Sequence, residues 1–313
     1  MTNSNTVKVF APATVANVSC AFDILGFAID DVGDEIICRR TSNIGKVTIS
    51  KIISPYAQLS TDTKNNTASV AVLALLNEIE TDCGIDIEIE KKMPIGSGMG
   101  SSAASAAGAV FATNVLLGSP FTKEQLVKFA MKGEFVASGA IHADNVAPSL
   151  LGGFTLVRSN DPLDIISVNY PENLYVSVVC PNIEVKTSDS RSVLKKQISL
   201  SVAVKQFGNI AGLIAGLEKR DCGLISRSLT DYIIEPERAI LIPGFYDIKS
   251  SAISAGALGA GISGSGPSIF ALSDNRKIAL NISEVMREKF KQINIESFVI
   301  VSKINQKGCH IIS

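Results

Sequence analysis

The chain has 313 residues, room for one large or two ordinary domains with real cores. Hydrophobic residues make up 46% and charged residues 19%, a globular composition that excludes extended disorder. The formal net charge is −1 and the signs are mixed along the chain, so neither nucleic acid nor an anionic membrane is expected as a partner, and an anionic ligand must be held by local donors.

In chain order, the start MTNSNTVKVF lacks a basic region followed by an apolar run, so no signal peptide is expected. VKVFAPATVAN, DEIICRR and KVTISKI read as strands, and Ile85 to Glu90 alternates apolar and charged residues as a half-buried strand does. Ala68 to Glu80 reads as an apolar helix with Asn65 and Asn66 as possible caps. Met93 to Thr122 carries no charge but is filled with Ser, Ala and Gly, which suits a buried helix over Ser101–Leu117 better than a membrane span. Thr122 with Gln125 predicts a capping box, and Leu126, Phe129, Ala130, Gly133 and Ala137 form the next apolar stripe. After the strand FTLVR, the polar break Ser159–Pro162 is taken as the domain boundary, giving an N-terminal domain over 1–161 and a C-terminal domain over 162–313. The second part repeats the mixture: strands at YVSVVCP, SIFALS and FVIVSKI, and helices at Val202–Leu217, Ile248–Ala257 and Ile278–Phe290. The expected class is α+β in two layered domains.

Six cysteines (Cys20, Cys38, Cys83, Cys180, Cys222, Cys309) are scattered without a C-x-x-C pair, and only His142 and His310 accompany them. A zinc site is therefore not expected, and the thiols read as buried small hydrophobes in a reducing cytoplasm.

One segment has a chemistry of its own. Pro94, Ile95, Gly96, Ser97, Gly98, Met99, Gly100, Ser101, Ser102, Ala103 and Ala104 place three glycines two apart, then two serines, then a small-residue helix. Glycine admits positive φ and close backbone approach, and the helix start adds free N–H groups and its positive dipole end. The pattern is neither the Lys-containing P-loop nor the dinucleotide fingerprint. A tight turn capping a buried helix is the plain alternative, but the full run of Gly, Ser and small residues points to an anion, and a serine could hold a metal.

Two other stretches are unusually small and polar: Ala11 to Gly26, and a second glycine loop over Gly259 to Ser268. Together the three resemble, in order and spacing, the signature motifs of the GHMP kinases. Within that superfamily the chain is similar to the homoserine kinases, on Ala16-Asn-Val-Ser-Cys-Ala-Phe-Asp-Ile-Leu-Gly26, Met93 to Ser102, His142-Ala-Asp-Asn-Val-Ala-Pro148, Glu235-Pro-Glu-Arg-Ala-Ile-Leu-Ile-Pro-Gly244 and Gly261-Ile-Ser-Gly-Ser-Gly-Pro267. Met99 stands where a Leu is usual. The resemblance implies a ribosomal-protein-S5-like N-terminal domain, a ferredoxin-like C-terminal domain and an active site between them. It also implies ATP, Mg²⁺, a cytoplasmic homodimer, and L-homoserine as acceptor, phosphorylated to O-phospho-L-homoserine in threonine biosynthesis.

The site roles follow from that resemblance. Ser102 and Glu134 are expected to hold Mg²⁺, which takes few protein oxygens and keeps waters; without the resemblance Glu134 would read as an ordinary helix-edge carboxylate. Asn17 and Asp23 suit the ammonium and hydroxyl end of the amino acid, and Arg191 and Arg238 its carboxylate. His142, Thr187 and Gly264 would complete the pocket, with Asn66 and Lys91 near the adenine. Several relatives place an Asp as base at the position of Asn145, and an amide cannot act as a base. Asp144 is adjacent on a different register and is given no role. The expected catalysis, by Ser102, Glu134 and Asn145, is positioning and electrostatics without a strong base. The rivals are a GHMP kinase for an isoprenoid or sugar alcohol, and a ligand-sensing relative without turnover.

Overall fold

The computed structural model describes residues 5–139 and 142–313. The first sheet is seven-stranded, built from β1 (Thr6–Ala16), β2 (Leu25–Thr41), β3 (Val47–Ile53), β4 (Gly84–Glu90), β5 (Phe154–Asn160), β6 (Leu163–Val168) and β11 (His310–Ile311). Its spatial order is β11-β1-β2-β4-β3, with β5 on the first part of β2 and β6 outside β5. Among the described residues only the β3–β4 pair is parallel. β2 is long enough to serve two partners, pairing β4 through Glu35–Thr41 and β5 through Leu25–Phe27.

Helices α1 (Thr67–Leu76), α2 (Ser101–Leu116) and α4 (Val146–Leu151) pack against this sheet, and α3 (Lys123–Ser138) packs on those three helices. Asn66 caps α1, accepting from Ala68 N at 3.0 Å. The predicted capping box of Thr122 and Gln125 opens α3 with both reciprocal bonds present. α1 is shorter than expected and stops at Leu76, where Asn77 N–H already closes onto Leu73 O. The small residues of α2 are explained by its place: Ala103, Ala104, Ala106, Ala107 and Ala109 are buried between the sheet and its neighbouring helices.

The second sheet is β10-β7-β9-β8, all antiparallel, from β7 (Tyr175–Pro181), β8 (Gly259–Ile262), β9 (Ile269–Ser273) and β10 (Ser297–Lys303). α9 (Phe245–Ser254) and α10 (Arg276–Gln292) cover one face through Phe245, Ile248, Ile282, Met286 and Phe290. The intervening helices are α5 (Thr187–Ser192), α6 (Leu200–Lys219), α7 (Cys222–Ser228) and α8 (Glu235–Arg238).

The boundary expected between residues 161 and 162 is not where the chain changes sheets. Ser159–Pro162 is the end of β5 and the Asp161-Pro162 tip of the β5–β6 hairpin, whose register runs from Asn160↔Leu163 to Phe154↔Val168. The crossing comes after Val168, and the chain crosses back at its end, where β11 pairs β1. A polar Asn-Asp-Pro turn looks the same whether it joins two domains or two strands.

Candidate active site

The loop between β4 and α2 is shaped by three glycines at φ +67°, +78° and +68°, Gly96, Gly98 and Gly100. Its supports explain why two of them must be glycine. A Cβ on Gly98 would lie 2.3 Å from Ser263 O, and one on Gly100 2.0 Å from Thr14 Oγ1. Ser263 Oγ donates to Gly98 O at 2.7 Å, Ser268 N to Ser97 O at 3.2 Å, and Thr14 N to Met99 O at 3.1 Å. The second glycine loop therefore buttresses the first from the other domain. Gly100 is the N-cap of α2 and has no capping side chain, so the first N–H groups of that buried helix remain for an anion.

The loop forms one wall of a cavity of about 330 Å³ between the domains. The N-terminal side contributes Asn17, Asp23, Ile95, Gly96, Ser97, Gly98, Gly100, Ser101, Ser102, Glu134, His142 and Asn145, and the C-terminal side Thr187, Arg191, Arg238 and Gly264. Sixteen positions singled out in the sequence thus face one space, from elements up to 247 residues apart. Met99, Ala103 and Ala104 are buried beneath the loop instead. Pro94 faces a second cavity of about 530 Å³ on the other side of Ile95 and Ser97, walled by Tyr56 and Phe298.

Asn66 and Lys91 do not line the cleft. Asn66 is spent on capping α1 and donating to Ser60 O. Lys91 is buried in an ion pair with Asp34 and donates to Ser101 O and Ser105 Oγ, so it braces the first turn of α2 from inside. Asp144, given no role in the sequence, is fully buried and lines the cleft beside Asn145. Lys186, Ser188 and Ser265 also line it unforeseen. Nothing in a single sequence marks Lys186 and Ser188, whereas Ser265 belongs to the second glycine loop and Asp144 could have been found as the acidic residue of the His-Ala-Asp-Asn stretch.

At one end of the cleft Ser102 Oγ donates to Glu134 Oε2 at 3.1 Å. Burial pushes the Glu134 carboxyl up to about 7, against the Ser102 hydrogen bond and the charge of Lys91. A carboxylate so disfavoured gains most from a cation, and a hydroxyl beside it makes the hard-oxygen pair that Mg²⁺ takes when phosphates and water supply the rest. The residues fit the ion.

At the other end Arg191 grips Asp23 with two bonds of 3.0 and 3.3 Å, and His142 Nδ1 lies 3.5 Å from Asp23 Oδ2. Burial pulls His142 below its ordinary value despite Asp23, which favours the neutral ring. Arg238 is buried and donates to Ser190 O and Gly264 O, both at 3.0 Å. Its pKa is lowered to about 10 by burial and by Arg191, which still leaves it charged. Asn17 ties the ends of the arrangement, donating to Gly264 O at 2.6 Å and accepting from Asp23 N at 2.9 Å. Burial, with the Asp23 charge, raises Asp144 to about 7. Asn145 Oδ1 accepts from Thr14 Oγ1 at 2.7 Å, which leaves its amide NH₂ as donor. The cleft therefore has an anion cradle and cation ligands at one end, and a carboxylate with two guanidiniums at the other.

Comparison with known proteins agrees. Residues 66–153 match the GHMP kinases N terminal domain and residues 213–292 the GHMP kinases C terminal domain. A homoserine kinase of Chloroherpeton thalassium is 51% identical, covering 97% of this chain and 98% of the relative. One from Xylella fastidiosa is 37% identical over 97% of this chain and 94% of its own. The crystal structure of homoserine kinase from Cytophaga hutchinsonii superposes with a TM-score of 0.96 at 52% identity, covering 100% of this chain and 99% of that one.

Proposed function

The chain belongs to the homoserine kinases of the GHMP kinase family, and from that premise we propose that it transfers the γ-phosphoryl group of ATP to the side-chain hydroxyl of L-homoserine by direct in-line displacement, with Mg²⁺ and without a strong protein base. One observation carries the reading. The glycine cradle, the Ser102–Glu134 pair and the Asp23–Arg191–Arg238 cluster share a single cleft, which suits phosphates at one end and an amino acid at the other.

The loop N–H groups and the start of α2 hold the phosphates. Ser102 and Glu134 would hold Mg²⁺, which would neutralise charge on the transferring group. Asp23 takes the substrate ammonium, and Arg191, released from Asp23, joins Arg238 on the carboxylate. The hydroxyl oxygen then attacks the γ-phosphorus as the bond to ADP breaks. Asn145 donates its amide to the reacting oxygens, and the hydroxyl proton passes to the transferred phosphoryl group. A loose transition state needs positioning and charge stabilisation more than a base. The exposed apolar row Leu200, Val204 and Phe207 on α6 supports the homodimer, and the absence of a strongly charged surface from the composition supports a free enzyme without nucleic-acid or membrane partners.

Coupled ADP release with Mg-ATP against a panel of hydroxy amino acids and alcohols tests the reading; homoserine is expected to lead the panel, and no preference for it overturns the acceptor. Asp144 favours one second reading. Buried, in the cleft and raised to about 7, it has the pKa of a general base. Direct transfer predicts that Asp144→Asn keeps kcat within about tenfold, whereas general-base catalysis predicts a loss of roughly a hundredfold or more.

A further inference from the structure

Phe22 precedes Asp23 in the first motif and does not line the cleft, yet both arginines of the substrate end lie over its ring. The guanidinium carbon of Arg238 is 4.9 Å from the ring centroid and that of Arg191 5.6 Å. The two come from different elements, α8 and α5. Two guanidiniums side by side repel, and Arg191 has a direct alternative partner in Asp23. A carboxylate placed between them would hold them, but would also consume the N–H groups that a substrate carboxylate needs. An aromatic face attracts a cation through its quadrupole and occupies none of those N–H groups.

We propose that Phe22 is a positioning residue that sets the spacing of Arg191 and Arg238, so that Arg191, once released from Asp23, meets the carboxylate of the acceptor beside Arg238. This rests on the homoserine kinase reading. The turn that presents Phe22 is itself fixed: Asp23 has φ +60° and its N–H donates to Asn17 Oδ1, while Asn17 and Arg238 share Gly264 O. Adjacent residues of one turn thus read both charges of an amino acid, Asp23 the ammonium directly and Phe22 the carboxylate through two arginines.

The test is calorimetric affinity of the whole chain for homoserine, for its deaminated analogue hydroxybutyrate and for its decarboxylated analogue aminopropanol, in wild type, Phe22→Leu and Phe22→Tyr. Leucine keeps the apolar volume and removes the π face; tyrosine keeps both. Phe22→Leu is expected to bind homoserine and hydroxybutyrate about tenfold more weakly, from two cation–π contacts of modest strength. Aminopropanol and Mg-ATP affinities should change by less than about twofold, and Phe22→Tyr should restore the homoserine affinity, as expected for a contact with the ring face alone. Equal weakening of all three acceptors in Phe22→Leu, or no weakening of any, overturns the proposal. So does a Phe22→Tyr protein as weak as Phe22→Leu. Wild-type turnover decides the function reading separately: a chain that binds homoserine without phosphorylating it loses that reading but leaves these affinity ratios valid, and a chain that does not bind homoserine loses both.

Discussion

Glu134 reaches the cleft from α3, four residues after the buried Ala130, and is there only because the apolar stripe turns that face inward. Its raised pKa has two consequences with opposite signs. A carboxyl at 4.5 when unfolded and about 7 when folded adds most stability to the fold below 4.5, and that contribution is lost as pH rises through about 7. Metal binding needs the ionised form and so improves over the same range. Metal-free protein should therefore lose stability between pH 4.5 and about 7, by on the order of 2 kcal/mol more than a Glu134→Gln variant, in denaturant titrations with chelator present. Asp144 titrates in the same window and is raised in part by the Glu134 charge, so the difference between the curves reports Glu134 together with that coupling. Adding Mg²⁺ should flatten the wild-type curve and leave the variant unmoved. The variant's turnover should fall about a hundredfold or more, as expected for lost charge stabilisation. An unchanged pH slope, or near-normal activity, would remove Glu134 from the metal site.

The glycine loop is an element whose residues were legible but whose supports were not. Its composition announces an anion, because glycine takes positive φ at little cost and lets the backbone come close to a ligand. Composition says nothing of what lies underneath. Lys91 precedes the loop and reads as one more cation near a nucleotide, whereas the fold turns it inward to Asp34. Asn66 misleads similarly: the residue that caps α1 is the residue the resemblance puts near adenine. Long-range partners also separate β5–β6 from a domain linker, and Asp144 from an idle neighbour of Asn145. Lys91→Met tests the distinction between ligand contact and support. It strands a buried Asp34 without its cation, which should cost about 3 kcal/mol or more, and Asp34→Asn with Lys91→Met should recover part of that loss. The KM for ATP in the surviving fraction should change little. A stable variant with a sharply raised KM for ATP would return Lys91 to the nucleotide.

At the scale of the whole molecule the site exists only while two sheets hold their facing. The first motif, the glycine loop and α3 come from one sheet's side, Arg191, Arg238 and Gly264 from the other, and Ser263, Asn17 and Arg191 bond directly across. The chain passes between the sheets after Val168 and returns after Lys303, and the return is extensively bonded. Ile304 bridges Ile29, Asn305 Nδ2 donates to Asp30 Oδ1 at 2.7 Å, Cys309 N donates to Ser149 O at 2.8 Å, and β11 completes the edge beside β1. None of these residues touches the cleft. Ser149 nevertheless belongs to α4, whose N-cap is Asn145, and β1 leads into Thr14 and Asn17. Removing residues 304–313 should thus disturb the substrate end of the site from the opposite face of the sheet. Losing the buried Cys309 and Ile304 and the edge pairing should cost several kcal/mol, a fall in Tm of about 10 °C. If the return strand is what holds α4 in place, affinity for homoserine should fall further than affinity for ATP, because the glycine loop keeps its own bonds to Ser263 and Ser268. A shortened chain with wild-type homoserine affinity at low temperature would show instead that β1 and the cross-domain bonds alone keep the cleft in register.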